Sequence, residues 1–502
     1  MPHSVEYVII QAGGKGTRLK QLTANKPKAI VSVNNLPIIF HLFRKFSDKK
    51  FIIIGDYLKE VMDRYLQVFC DVEYITVGTD GNSGTCSGIH NALSIIPPNT
   101  GFMLIWSDLI LGNDFDVPTL DKTDYIGISG TFPCRWSYRN DLFIEEKSFN
   151  DGVAGLFIFS DKSKLTDVPE SGEFVKWLQS KNMIFDRKIL GSSAEYGLIE
   201  SIAPAKSGKC RPFNSMKIVD GKLIKEGIDE QGKKLAVREK NWYKHVSNLN
   251  IPIPKIYSFE PFTLEIIEGK NIFEYTDLTL SEKEKILEKI AKALETLHSY
   301  NSTYPDRISM KKAYFDKTVD RLNKVRNLIP FANDPYLTIN GKLCKNVFFH
   351  LEELRKKVYE IPCEKFCLIH GDCTFSNMML KFGKEPVFID PRGYFGNCEI
   401  IGDPSYDWAK LYYSLSGDYD QFNLGRFKLD IDDNGVKLEI QSNGWKKLED
   451  KFISLLPKGI SIETIRFIHS LIWLSLTTYA WNDYDSICGA FYNGIYYLED
   501  IL

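Results

Sequence analysis

The residues best suited to chemistry fall in two clusters far apart in the chain. One is GGKGTRLKQLTANKPKA, beginning at Gly13; the other is HGDCTFSN from His370, followed by IDPRG with Asp390. In the first, Gly13, Gly14 and Gly16 let the backbone turn tightly and bring its amides against phosphate oxygens, where a side chain would block the approach. Lys15 and Arg18 add positive charge at the same place. The spacing is neither the GxxxxGKS/T of a Walker A loop nor the GxGxxG of a dinucleotide fingerprint. A glycine turn of this kind also serves as a plain strand-to-helix connection, so its meaning depends on the residues that extend it. The second cluster sets Asp372 five residues before Asn377 and adds Asp390 after the strand-like run VFID.

Elements must bring these residues together. Residues 7–11, 51–55 and 103–107 are short runs rich in Ile, Leu and Phe and read as buried parallel strands. Between them, residues 36–46 and 57–69 space their apolar positions as helices do. The pattern predicts an α/β domain with a mostly parallel, Rossmann-like sheet, whose sites gather at the carboxyl ends of strands. Gly13 and Asp108 each follow such a strand directly. At 201–213, Pro, Gly, Ser and Lys replace the apolar periodicity, which predicts domains at 1–205 and 210–502. Residues 216–228 and 262–267 then read as strands, and 281–300 as a helix opened by a Ser281/Glu284 capping box. The second half reads as a small β-rich lobe followed by a larger helical one.

Bulk composition narrows the function classes. At 502 residues, two or three domains are expected. A formal charge of -2 offers no basic field for nucleic acid or anionic lipid, so small-molecule partners are expected. The ten cysteines lack zinc-site spacing and read as reduced thiols. The N-terminal residues do not form a signal peptide, and the apolar stretch at 465–481 contains Arg466 and His469 and reads as a buried helix rather than a membrane span. A cytoplasmic enzyme is expected.

The first cluster, extended by Thr17, Arg18, Leu22, Thr23, Pro27, Lys28 and Ala29, resembles the opening GGxGTRLxxLTxxxPKA of the sugar nucleotidyltransferase family. The resemblance covers about the first 200 residues. It implies that Gly84, Thr85 and Gly88 contact the base and ribose, that Asp108 binds magnesium, that Glu146 and Lys147 hold the sugar phosphate, and that Glu195 is the second metal carboxylate. In that chemistry a phosphate monoester attacks the α-phosphorus of CTP, UTP, GTP or dTTP and pyrophosphate leaves. The metal and the cations Lys15, Arg18, Lys28 and Lys147 offset the repulsion between two polyanions.

The second cluster resembles the aminoglycoside phosphotransferase and choline kinase family, whose two-lobed α+β domain is protein-kinase-like. That implies Asp372 as the base for a substrate hydroxyl, Asn377 and Asp390 as magnesium ligands for ATP, and Asp407 as a prop for the catalytic loop. His370 reads as a structural hydrogen bonder. Lys225 and Glu239 are similar to the phosphate-gripping lysine and its helix partner, with Lys222 close by, and 262–269 to the hinge between lobes. Arg392 stands where choline kinases carry acidic residues; it hints at an anionic or polyhydroxy acceptor, or else ties the loop to a carboxylate such as Asp403. Together the resemblances imply a bifunctional enzyme that phosphorylates a sugar or small alcohol and caps the phosphate with a nucleotide, feeding surface polysaccharide assembly. Two other readings stay open: a choline or ethanolamine kinase joined to a CTP-dependent cytidylyltransferase, and a chain in which one half is an inactive binding module.

Overall fold

A computed structural model describes residues 4–202 and 214–502. The chain divides into two compact units, Met1–Gly208 with Asn482–Asp485, and Lys209–Trp481 with Ser486–Leu502. The linker expected at 201–213 lies, beyond Ile202, outside the described residues.

The first unit is built on a nine-stranded sheet. Val5–Gln11, rich in branched residues that suit a fully buried strand, pairs in parallel with Lys50–Ile54 on one side and Gly101–Trp106 on the other. Tyr74–Val77 extends this parallel part, and Gly152–Phe159 joins antiparallel to Gly101–Trp106. The helices Ile38–Lys45, Lys59–Phe69 and Thr85–Ile95 connect the parallel strands. Each of the first two starts two residues inside the position expected for it, because Pro37 and the left-handed Leu58 set the entries. An aromatic core including Phe102, Phe157, Phe159, Phe174 and Phe185 backs the sheet. Gly155 sits at a register shift with φ +82, where a Cβ would meet the Trp106 ring at 2.3 Å. The register pairs Gln11 with Trp106, so the loops carrying Gly13 and Asp108 leave neighbouring strand ends side by side.

Lys26 is part of the same unit and is only 1% exposed. Its ammonium is paired with Asp483, at 2.8 Å, and with Asp485, both on the short returning segment. Burial lowers the proton affinity of Lys26, but the two carboxylates outweigh it and hold the ammonium charged, above the ordinary lysine range.

The second unit opens with a four-stranded antiparallel sheet in the order Asn214–Val219, Lys222–Gly227, Phe262–Glu265, Ile256–Phe259. The stretch expected as strands at 216–228 is a hairpin turning at Asp220 and Gly221, both with positive φ. Helix Glu230–Val246 follows, its start capped by Asp229, which accepts from Gly232 N at 2.7 Å. The helical part comprises Leu280–Leu297, Pro404–Leu415 and Ile462–Leu476 among others. The capping box expected at Ser281 and Glu284 is instead Thr279 with Glu282: Glu282 accepts from Thr279 N at 2.8 Å, and Thr279 Oγ1 accepts from Glu282 N at 3.3 Å. Two S/T-x-x-E frames overlap at this point in the sequence; the earlier one caps the helix, which starts at Leu280, one residue before the position expected. The apolar stretch around Ile465 lies in helix Ile462–Leu476, most of it buried, and among the described residues no helix is long and apolar enough to cross a membrane.

Candidate active sites

In the first unit the glycine turn is shaped by its neighbours. Gly16 is left-handed at φ 62, and its carbonyl accepts from Leu19 N at 2.8 Å and from Thr23 Oγ1 at 3.1 Å. A Cβ on Gly13 would meet Asp56 Cβ at 2.9 Å, whereas Gly14 faces open space and is exposed. Gly14, Lys15, Thr17 and Arg18 of this turn are exposed, with Gly13 and Gly16 partly buried. Lys28 follows Pro27 into a 3-10 turn, Lys28–Ile30, and is largely buried in an ion pair with Asp108.

Glu195 reaches the same point from a distant segment. The two-residue strand Ala194–Glu195 pairs with Leu109–Ile110, setting Glu195 opposite Leu109, and Tyr196 N donates to Asp108 O at 2.8 Å. Arg18 lies 3.9 Å from Glu195. Burial and the adjacent Asp108 carboxylate raise the Glu195 pKa, with Lys28 and Arg18 opposing the rise. Two converging carboxylates, one held against its own ionisation by the other, are a fitting donor set for a hard divalent cation such as magnesium, which takes few protein carboxylates and completes its shell with water and phosphate oxygens. Among the described residues no group of three or more acidic, His or Cys side chains forms a closed metal cage.

Other expected residues of this half lie apart from that pair. Lys147 is exposed, its ammonium 5.6 Å over the Phe149 ring, and Glu146 is taken by Arg139 at 3.2 Å and Ser137 at 3.1 Å. Gly84 precedes helix Thr85–Ile95 with φ +89, and a Cβ there would strike Gly172 O at 2.3 Å. Thr85 Oγ1 accepts from Phe174 N at 2.7 Å. Gly88 is required by packing, since a Cβ would meet Ile54 Cγ2 at 2.1 Å.

In the second unit, Asp372 precedes the 3-10 turn Phe375–Asn377 that Asn377 ends, and Asn377 Nδ2 donates to the Asp372 carbonyl at 2.9 Å and its carboxylate at 2.8 Å. That orientation leaves the Asn377 carbonyl oxygen as the atom available to a cation. Asp407, fully buried on helix Pro404–Leu415, accepts from His370 N at 2.8 Å and Gly371 N at 2.7 Å, and pairs with His298 at 3.1 Å. This is how a helix carboxylate fixes the loop. His370 is buried, its Nε2 bonded to Ile389 O at 3.0 Å, and burial lowers its pKa. Its position is structural.

Lys225 is 7% exposed and lies 2.8 Å from Glu239 and 2.5 Å from Asp390. Burial works against the ammonium, but Asp390 and Glu239 outweigh it and raise its pKa. Lys222, the neighbouring alternative, is exposed with its ammonium 4.7 Å over the Tyr257 ring. Asp390 adopts φ 54, a left-handed turn that aims a carboxylate 53% exposed into the space shared with Lys225. Asp390, Asn377 and Asp372 supply oxygen donors of the type magnesium takes.

Sequence reasoning missed Lys410, Lys317 and Arg321. Lys410 pairs with Asp372 at 2.9 Å. Its position three residues after Asp407 on one helix was a usable signal, since residues at that spacing share a face. Arg392 does not bind Asp403: its guanidinium donates to Tyr406 at 2.9 Å and Tyr394 at 2.8 Å, while Asp403 accepts from Tyr314 at 2.8 Å.

Residues 7–122 match the model of the nucleotidyl transferase family and residues 229–430 that of the phosphotransferase enzyme family. The chain thus joins a nucleotidyl transferase segment to a phosphotransferase segment. Over 229 residues it is 25% identical to bifunctional protein GlmU of Methanococcus maripaludis, spanning 45% of this chain and 49% of that protein. It is 27% identical over 173 residues to UTP--glucose-1-phosphate uridylyltransferase AglF of Haloferax volcanii, 33% of this chain and 65% of that one. Over 58 residues it is 47% identical to choline-phosphate cytidylyltransferase of Streptococcus pneumoniae, 11% of this chain and 25% of that one. The chain therefore spans about half the length of the first of these relatives and about two thirds or less of the others.

Proposed function

We propose that the chain is a bifunctional enzyme that phosphorylates a hydroxyl of a sugar or small alcohol with ATP and then transfers a nucleotidyl group to that phosphate, with 1–205 as the nucleotidyltransferase domain and 210–502 as the kinase domain. The observation that carries this reading is that both segments bring cations and acidic groups together from separate elements: Lys28 with Asp108 and Arg18 with Glu195 in the first, and Lys225 with Glu239 and Asp390 in the second.

In the kinase step Asp372 accepts the proton of the acceptor hydroxyl as its oxygen attacks the γ-phosphorus, and ADP departs. Lys410 pairs with Asp372 and orients it, Asn377 and Asp390 would hold magnesium, and Lys225, set by Glu239, grips the triphosphate. In the second step an oxygen of the new phosphate monoester attacks the α-phosphorus of a nucleoside triphosphate and pyrophosphate leaves. The Gly13–Thr17 amides with Lys15 and Arg18 bind the triphosphate, and Asp108 and Glu195 would hold magnesium. Bound metal at either place supplies charge neutralisation of the phosphates. Lys28 neutralises the same carboxylates and steadies the developing charge. Cytoplasmic triphosphate pools would feed both steps, and the product suits surface polysaccharide assembly.

The choline-phosphate cytidylyltransferase likeness favours a second reading, in which the acceptor is an amino alcohol and CTP the nucleotide. Both are tested by incubating purified protein with magnesium, each of four triphosphates, and unphosphorylated sugars and amino alcohols, with mass spectrometry of the products. Absence of any phosphorylated or nucleotide-capped product across the panel would overturn the proposal.

A further inference from the structure

Beside Asp372 the second unit encloses a cavity of about 150 Å³ whose charged lining is entirely cationic. Lys312, Lys317, Arg321 and Arg392 line it together with Tyr394 and Tyr406, and among the described residues no carboxylate does. Its link to the kinase chemistry is short. Arg392 N donates to His370 O at 2.9 Å, and its Cβ lies so near Gly371 that a Cβ there would sit 2.9 Å away. Lys410, which pairs with Asp372, stands 6.0 Å over the Tyr406 ring. The cavity therefore opens where an acceptor must place its hydroxyl.

The cations of this wall are held by neutral groups. Arg392 is bonded to two tyrosine hydroxyls and stacked 4.4 Å from the Tyr394 ring, whose other close cation is Arg238 at 4.3 Å. Arg321 donates to the Ser475 carbonyl, and the Lys317 ammonium is 5.4 Å from the Tyr406 ring centroid. Among the described residues Lys317, Arg321 and Arg392 form no ion pair with a carboxylate, and the acidic charge that reaches Lys317 and Arg392 is that of Asp372, the residue placed to take the acceptor proton. Like charges gathered out of water repel. Burial, and then the charges of Arg392, Arg321 and Lys410, push the Lys317 pKa well down. Tyrosines bond guanidinium groups without neutralising them, so the arrangement keeps its field for something else.

Resting on the kinase reading above, we propose that the acceptor is a hydroxylated small molecule bearing an oxyanion, a carboxylate or a phosphate, and that Lys317, Arg321 and Arg392 hold that oxyanion while Asp372 takes the proton of its hydroxyl. A guanidinium fork and an ammonium match the oxygens of either anion. A quaternary or primary ammonium would add a further positive charge to the wall and is discriminated against.

The test uses the full-length protein with ATP and matched acceptors of three to six carbons: neutral polyols, the corresponding hydroxy acids, the corresponding phosphates, choline and ethanolamine. The kcat/KM is expected to be at least tenfold higher for one of the anionic series than for the polyol of the same length, and the comparison of acids with phosphates identifies the anion. In Lys317→Gln and in Arg321→Gln, each checked for folding by its thermal transition, the KM for the anionic acceptor should rise tenfold or more with the KM for ATP little changed. Preferred phosphorylation of a neutral or cationic acceptor overturns the proposal while leaving the kinase reading intact. Should no acceptor turn over, inorganic phosphate titrated calorimetrically into wild type and into the double variant decides the anion site by itself: at least tenfold weaker binding in the variant upholds it, and equal binding overturns it.

Discussion

At the scale of single residues, the least local feature is Lys225. Hairpin register places it, helix Glu230–Val246 supplies Glu239, and the loop after Phe388 supplies Asp390. Removing one member of such a buried set strands the rest, at a cost of about 3 kcal/mol. Lys225→Met is therefore expected to lower the stability of the second unit by about that amount in denaturant unfolding, and to raise the KM for ATP tenfold or more with little change for the acceptor. Lys222→Met, three residues away but exposed over Tyr257, should do neither. Equal effects from both lysines would return the phosphate-gripping role to an open choice between them. That a lysine near 225 was needed is legible in the sequence; which one is buried depends on which face of the strand meets the helix, and two lysines separated by three residues face opposite ways on a strand.

At the scale of elements, the start of helix Leu280–Leu297 is decided by a reciprocal pair. Thr279→Ala should cost about 1 kcal/mol, the usual value of an N-cap, whereas Ser281→Ala should cost a few tenths at most. Unfolding midpoints of the two variants separate the overlapping frames. Helix Ile462–Leu476 carries a pH-sensitive contact. His469 is fully buried and its Nε2 accepts from Trp473 Nε1 at 2.9 Å, so the proton resides on Nδ1 and the ring is neutral. Burial, with Lys446 nearby, lowers its pKa from 6.5 to about 3. The folded state thus resists a proton that the unfolded chain binds below pH 6.5. The associated stability is present above that pH and lost as pH falls, by about 2 kcal/mol between pH 7 and pH 5. His469→Gln, which keeps an acceptor for Trp473, should flatten this part of the pH profile; an unchanged profile would place the proton uptake elsewhere.

At the scale of the whole molecule, each unit holds its own acidic set, so the two chemistries should separate by mutation. Asp372→Ala is expected to abolish phosphorylation of the free acceptor and to leave nucleotidyl transfer to the pre-phosphorylated compound. Asp108→Ala should slow that transfer on the order of a hundredfold or more, by analogy with losing one preorganised charge stabiliser, and let the phosphorylated intermediate accumulate. Loss of both activities in either folded variant would contradict the assignment of one site to each unit.

By itself the sequence determined the pieces whose physics is local. A glycine turn after an apolar strand, an aspartate five residues before an asparagine, and short branched runs alternating with helical stripes are constraints within a few residues of one another, and they singled out Gly13, Gly16, Asp372 and Asn377 as candidates. The tertiary structure decided everything that depends on charges meeting across long separations. It set Glu195 beside Asp108 through a two-residue strand, gave Arg392 tyrosines rather than Asp403, gathered Lys317 and Arg321 around it, and brought Asp483 and Asp485 to the buried Lys26. No periodicity records such meetings, because an ion pair or a shared cavity is set by the packing of whole elements, and the energy of a charge is summed over all the neighbours that packing supplies.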